Sequence, residues 1–470
     1  MTATKSEQPD TPPKHLHVGA INPFALVEAI LGRKLDWKSA STSRIVATIL
    51  QTDYDELFDM SFHSILFAGL KLNDREEAAE PIDSKDIHTL TERDLLTPDF
   101  SRIRKLSDLG HMGLKDLGAI RVKHAVMSNG NLRMTLEPPR SLGKTLSNSE
   151  MTALIRDLAT PYRSEGKGSG EKKEWTPPNG IWADISSLYR QDATKFNNPV
   201  QGATGNSWLI AALMSVAWSD PSSITHCNQT PTASFSFKKD KDMDESCTLS
   251  IKLYSKGGHL DAPTQTVTVN AQVPLNTSSE MVMYARSSDE GEIWPCLYEK
   301  AFAKWISSSS SSETSSEHPD LTILSHGDPV KAMAQLTDKT PEYFLTSSRR
   351  EQDLLGLVRS HCVNLRTIYP LVAYTHPTFS NNRFRGATLV GNMAYSVLGW
   401  AAPQERKQYI ILRHPWGVCE PDGLTSYSGL VTKVDTKFWP PVELLDAKSG
   451  VFAIETGAFR EVFSGMGVAK

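Results

Sequence analysis

The stretch Gln201-Gly-Ala-Thr-Gly-Asn-Ser207, running straight into Trp-Leu-Ile-Ala-Ala, has the residue types of a nucleophile site. A small polar residue after two glycines, at the head of an apolar run, falls at a helix N-terminus. There, free backbone N–H groups and the helix dipole favour developing negative charge. Gln201, six residues earlier, can project its amide toward the same point as an oxyanion donor. A buried glycine-rich turn before a core helix accounts for the same residues, so the pattern alone leaves both readings open. Other reactive side chains are more isolated. Cys296 falls in an apolar helix and reads as a small core residue. His361-Cys362 is an adjacent pair without further ligands nearby, and His376 precedes a proline in a surface loop. The five cysteines are scattered with no CxxC spacing, so neither a disulfide framework nor a zinc site is expected.

The elements that must position Ser207 are legible in part. The ten-residue apolar run Leu209 to Trp218 predicts a buried helix and is far shorter than the roughly 20 residues that span a bilayer. The polar N-terminus lacks the apolar stretch of a secretory signal, so no membrane partner and a cytoplasmic location are expected. Residues 1–15, with Pro9, Pro12 and Pro13, read as a disordered tail. Residues 16–163 read as an α-rich domain of unassigned role. Asn22-Pro23 is an N-cap and first-turn proline ahead of Leu26, Val27, Ile30 and Leu31; Leu57 to Leu70 repeats at helical spacing; Ser147 and Glu150 form a capping box. Within this unit Leu132, Met134 and Leu136 alternate as a strand would. Residues 164–174 (SEGKGSGEKKE) form a linker. Beyond it, Thr248 to Tyr254 and Thr266 to Ala271 alternate as strands, and Asp240 to Glu245 reads as a solvated hairpin tip. The serine-rich Ser307 to Ser316 reads as a surface loop after a helix ending near Trp305.

Several motifs beyond the first occur in an order that resembles the calpain family of papain-fold cysteine proteases. The Gln201 to Ser207 stretch is similar to that family's nucleophile motif. Glu292-Ile-Trp294 through Glu299-Lys300-Ala301-Phe302-Ala303-Lys304 is similar to its Trp and Glu-Lys-Ala helix. Ala394-Tyr395-Ser396-Val397 resembles the strand that follows the catalytic histidine, Arg413-His414-Pro415-Trp416-Gly417 the Arg-Asn-Pro-Trp-Gly segment, and Gly450 to Phe463 the closing strand and helix. The resemblance implies an α+β fold with a papain-like, calpain-type two-lobe core. Lobe 1 would span residues 175–330 and carry Gln201 and Ser207; lobe 2 would span 331–470 and carry Met393 and His414, with a cleft between.

The same resemblance implies that all three catalytic positions are substituted. Ser207 stands for the cysteine, Met393 for the histidine base and His414 for the orienting asparagine. A thioether accepts no proton, and a serine without a base is a poor nucleophile. A cysteine-to-serine change alone is what an engineered trap would carry; Met393 does not fit that explanation. Loss of the base alone removes several powers of ten in rate. The leading expectation is therefore a non-proteolytic pseudopeptidase that binds or regulates. One alternative is an enzyme that uses Gln201, the α-helix end and His414 for small-molecule cyclisation or acyl transfer; another is a weak Ser207–His414 hydrolase. Of the family's acidic calcium loop, Glu292 is present but Asn198 replaces a second acid, so no metal, calcium included, and no cofactor are expected. The expected partner is a protein or small molecule in the cleft. Net charge of −4, from 50 basic and 54 acidic residues, argues against nucleic acid.

Overall fold

The computed structural model describes residues 180–185, 199–224, 233–238, 246–257, 262–276, 280–288, 292–310, 316–376, 389–404, 407–418, 429–432, 434, 438–439 and 450–470. It also describes positions 8–13, 16, 18–20, 22, 24–25 and 28, and four strand segments between 112 and 146. The helices expected at 57–70 and after Ser147, the linker at 164–174 and the tip at Asp240 to Glu245 lie outside these residues.

Helix α1, Ser207–Ser219, carries no charged residue and is apolar around its whole circumference, so it is buried on every side. Pro221 follows Asp220 and cannot extend the ladder. On one side lie strands β1 (Gly180–Asp184), β2 (Pro199–Val200), β3 (Ala233–Lys238), β4 (Ser246–Leu253), β5 (Gln265–Asn270), β6 (Gln272–Asn276) and β7 (Arg286–Ser287), with helices α2 (Trp294–Ser310) and α3 (Pro329–Thr337); of these β2, α2 and α3 touch α1 directly, and β4, β5 and β6 share its core cluster. Strands β3, β4 and β5 form an antiparallel sheet in the order of the chain. The expected strands at 248–254 and 266–271 match β4 and β5 within a residue or two.

Helix α2 runs past Trp305 through Ser310, longer than expected. Ser307 Oγ donates to Ala303 O at 2.8 Å and Ser308 Oγ to Trp305 O at 2.7 Å, so the hydroxyls fold back onto the helix's own carbonyls. Helix α3 begins where Asp328 accepts from Val330 N and Lys331 N, with Pro329 at its first position.

The C-terminal part is a nine-stranded antiparallel sheet, seven of whose strands form one path. In chain order these are β8 (Pro341–Leu345), β9 (Leu371–Thr375), β10 (Ala394–Gln404), β11 (Lys407–Arg413), β12 (Leu430–Val431), β13 (Val451–Glu455) and β14 (Phe463–Ala469). Their spatial order is β8-β14-β9-β10-β11-β13-β12, and the small hairpin Cys362–Val363/Arg366–Thr367 joins at β10. Helices α4 (Glu351–Ser360) and α5 (Thr456–Val462) pack together on this part. The mixed helix and strand content is that of an α+β fold.

Three side-chain bonds tie α1 to the large sheet. Ser396 Oγ donates to Ala211 O at 2.8 Å, Ser215 Oγ to Leu371 O at 2.9 Å, and Trp218 Nε1 to Leu398 O at 2.9 Å. Trp218 also stacks on Trp439, with ring centroids 5.7 Å apart.

Two features of the N-terminal part stand out among the described residues. The described residues from 112 to 146 are strands: 112–113 pairs with 145–146, and Arg121–Ser128 forms a hairpin with Asn131–Glu137. The strand expected at Leu132, Met134 and Leu136 is the second strand of that hairpin, while the helices expected at 57–70 and after Ser147 lie outside the described residues. Within residues 1–15, read as a tail, Asp10 bridges to Tyr343 of β8; its carboxylate accepts from Leu345 N at 2.7 Å and pairs with Arg349. Those bonds, with the Arg349 charge, hold the Asp10 carboxyl below its ordinary range against the opposing effect of burial.

Candidate functional site

Ser207 opens helix α1 as its residue type and setting predict, and its side chain is fully buried. Among the described residues its Oγ has no hydrogen-bond partner. The glycines ahead of it are required by close backbone approach. A Cβ on Gly202 would lie 2.1 Å from the Tyr284 carbonyl carbon, and one on Gly205 would lie 2.4 Å from Ser325 O. Asn206 caps the helix through its carbonyl, which accepts from Leu209 N and Ile210 N. Its side chain is diverted: Nδ2 donates to Glu299 Oε1 at 2.5 Å, while Glu299 Oε2 accepts from Ala285 N at 3.0 Å. Glu299 of α2 is thus a buried brace between the Ser207 loop and the 283–285 loop. Burial pushes its carboxyl up to about 8 despite the two hydrogen bonds, so it is protonated at neutral pH.

Gln201 lies beside Ser207 in the loop but not in the expected role. Its Nε2 donates to Ala20 O at 2.6 Å and to Thr204 O at 2.7 Å, so both amide hydrogens are engaged by backbone carbonyls. Its main chain is equally engaged: N donates to Pro415 O at 2.9 Å, and O accepts from Asn22 Nδ2 at 2.8 Å.

Met393 is buried immediately before β10. Its N–H donates to Thr375 Oγ1 at 3.0 Å and its carbonyl accepts from Thr375 N at 3.0 Å, which fixes the turn ahead of β10. His414 follows β11 and is fully buried between aromatic rings, with Tyr395 edge-on at 5.3 Å and Trp416 tilted at 4.6 Å. Its Nδ1 accepts from Trp416 N at 3.1 Å. In the neutral ring that bond leaves the hydrogen on Nε2, so the basic nitrogen faces its own turn. The turn abuts the Ser207 loop through the Gln201–Pro415 bond and through Arg413, whose Nη1 donates to Pro199 O at 2.9 Å. Gln201 and His414 therefore belong to adjoining turns, yet no hydrogen bond joins His414 to Ser207.

A third partner was not foreseen. Val18 and Gly327 exchange antiparallel backbone bonds of 2.8 and 3.0 Å, and Gly19 N donates to Asn392 O at 3.1 Å. The segment thus joins the loop before α3 to the residue preceding Met393. Asn22 Oδ1 accepts from Phe24 N and Ala25 N, the N-cap expected from Asn22-Pro23. Phe24 packs edge-on against Trp416, and the buried Glu28 pairs with Arg286 at 2.7 Å. The expected continuation at Leu26, Val27, Ile30 and Leu31 lies outside the described residues.

The remaining candidates stay apart. Glu292 accepts from Ser287 Oγ at 3.1 Å, its expected counterpart Asn198 is outside the described residues, and no cluster of three metal-ligating side chains occurs among those described. Burial raises the Cys296 thiol well above its ordinary value and pushes Cys362 up to about 12, so neither is a ready thiolate. His361 Nδ1 bonds Leu357 O at 2.8 Å in a helix cap. Sequence reasoning missed Gly19, Ala20, Asn22 as a contact, and Glu299 as a brace. Glu299 carried a signal, a lone acid in an apolar helix; the others had none, because their partners are distant in sequence.

Residues 151–470 match the calpain family cysteine protease domain, which begins upstream of the start at 175 expected from the motifs. A protein named thiol protease from Porphyromonas gingivalis is 24% identical over 95% of this chain and 86% of its own length. A Caenorhabditis elegans calpain, clp-4, is 24% identical over 63% of this chain, which spans 38% of that protein. No helix among the described residues is long and apolar enough to cross a membrane.

Proposed function

The chain belongs to the calpain family of cysteine proteases, and from that premise we propose that it is a non-proteolytic member whose protease-type core binds or regulates. On this reading the α1–α2–α3 part and the large sheet are the two lobes, and the Ser207, Met393 and His414 positions form a triad that no longer functions as one. The observation that carries the proposal is the Ser207 hydroxyl: it is buried at the helix end and, among the described residues, has no hydrogen-bonded acceptor for its proton. Nucleophilic catalysis by serine needs such a base within about 2.6–3.2 Å. Met393 offers none, and the basic nitrogen of His414 is occupied by the Trp416 amide. The same bond argues against a Ser–His hydrolase. Small-molecule catalysis through Gln201 is less well supported, since both hydrogens of its amide are already engaged.

The test is hydrolysis of an unfolded protein substrate and of a mixed peptide library, with and without added calcium. The expected result is no turnover above background for the wild type, Ser207→Ala or His414→Ala. Turnover by the wild type that either substitution abolishes would overturn the proposal.

A further inference from the structure

The N-terminal segment is seated as an extended ligand would be. Val18 makes a two-bond antiparallel bridge to Gly327, Gly19 N reaches Asn392 O, and Ala20 O takes the Gln201 amide. These three partners come from three different parts of the chain. One is the loop entering α3, one the turn before Met393, and one the loop carrying Ser207. Main-chain bonding of this kind is how an extended peptide is held, with side-chain space deciding which peptide fits. The space here is narrow. A Cβ on Gly19 would lie 2.4 Å from Ser325 O and 2.9 Å from His326 Cβ, so only glycine fits at that position. The Asn22 amide on Gln201 O, the Phe24 ring on Trp416 and the Glu28–Arg286 pair anchor the far side.

We propose that the path of Val18-Gly19-Ala20 between the Ser207 loop, the loop entering α3 and the turn before Met393 is a groove for an extended peptide with a glycine followed by alanine, and that the chain's own segment is its resident occupant. The inference rests on the non-proteolytic reading above, since a competent nucleophile would meet its own N-terminal segment. A tethered segment acts at an effective concentration on the order of millimolar. A free peptide of equal intrinsic affinity, present at micromolar concentration, then competes only after the resident segment is dislodged.

The experiment uses the full chain and a fluorescein-labelled peptide, LHVGAINPFALVE, identical to residues 16–28. In the full-chain variant Gly19→Val the resident segment no longer fits. The peptide is expected to bind this variant at least tenfold more tightly than the wild type by anisotropy, and a peptide bearing the same Gly-to-Val change is expected to bind neither. Hydrogen exchange runs alongside: the Val18, Gly19 and Gly327 amides should be protected in the wild type and lose protection in Gly19→Val, while α1 stays protected. If Gly19→Val loses α1 protection, Asn22→Ala, which removes the Gln201 contact without adding bulk, replaces it with the same expected gain. Equal binding to the wild type and to a folded variant, or Gly19 and Gly327 amides that exchange freely in the wild type, would overturn the inference. Mass spectrometry of the recovered peptide separates the two claims: a cleaved peptide would overturn the non-proteolytic reading and leave the docking intact.

Discussion

Helix α1 has two ends that have fared differently. From Ala211 to Trp218, where it faces the large sheet, the polar contacts are matched: Ser215 to Leu371 O, Trp218 to Leu398 O, and Ser396 back to Ala211 O. At its N-terminal end three buried polar atoms, Ser207 Oγ, Asn206 Oδ1 and Gln201 Oε1, have no partner among the described residues. A buried polar group without a hydrogen bond destabilises by about 1–3 kcal/mol, and such groups are rare in folded proteins. The part of the helix that ties to the sheet is satisfied; the end that carries Ser207 is not. The difference teaches that the contacts holding α1 in the fold and the polar groups around Ser207 separate along a single helix, which is the separation the proposed non-proteolytic reading requires.

The contrast can be broken first at the satisfied end. Trp218→Ala removes a buried indole, its bond to Leu398 O and its stacking on Trp439, and should destabilise by about 3–5 kcal/mol in chemical denaturation. A loss under 1 kcal/mol would mean that the C-terminal half is not what holds α1 to the sheet. Ser396→Ala, which leaves Ala211 O within a buried helix interior with its extra bond gone, should cost about 1–2 kcal/mol in the same measurement.

The brace under the unsatisfied end gives a pH signature. Folded Glu299 keeps its proton up to about 8, whereas an unfolded carboxyl releases it near 4.5. The folded state binds more protons between those values, so this contribution to stability is complete below about 4.5 and is lost as pH rises toward 8. Lys300, lowered to about 7 by burial, has the opposite sign, but its window opens above pH 7. Between pH 5 and 7 the wild type should therefore lose stability with a slope on the order of 1 kcal/mol per pH unit. Glu299→Gln should flatten that slope. An unchanged slope would show that Glu299 is not the protonated brace.

The smallest expected effect sharpens the comparison most. Ser207→Ala removes no hydrogen bond and places the best helix former at the start of α1, so stability should be unchanged or rise by up to about 1 kcal/mol. A loss above 1 kcal/mol would mean the hydroxyl is bonded in solution.

Much of the scaffold was legible because it is local. The glycines and the all-apolar run announced α1 and the position of Ser207, alternation announced β4 and β5, and Asn22-Pro23 announced its cap. The eleven-residue β10 was legible only through its Ala-Tyr-Ser-Val motif, since Ala394 to Leu398 are buried on both faces and show no alternation. Ser307 to Ser310 looked like a loop because composition does not reveal hydroxyls bonding back to their own helix. The site was less legible than the fold. Which nitrogen of His414 carries the proton follows from the turn that brings Trp416 N to Nδ1, and the engagement of Gln201 follows from partners about 180 residues away in sequence.

The central claim is that Ser207 has no base. Exposure of the full chain to a fluorophosphonate, read by peptide-level mass spectrometry, tests it directly. It should be done on the wild type and on Gly19→Val, so that the resident segment cannot account for a negative result. The account predicts no adduct at Ser207 in either protein; an adduct at Ser207 that disappears in His414→Ala would contradict it.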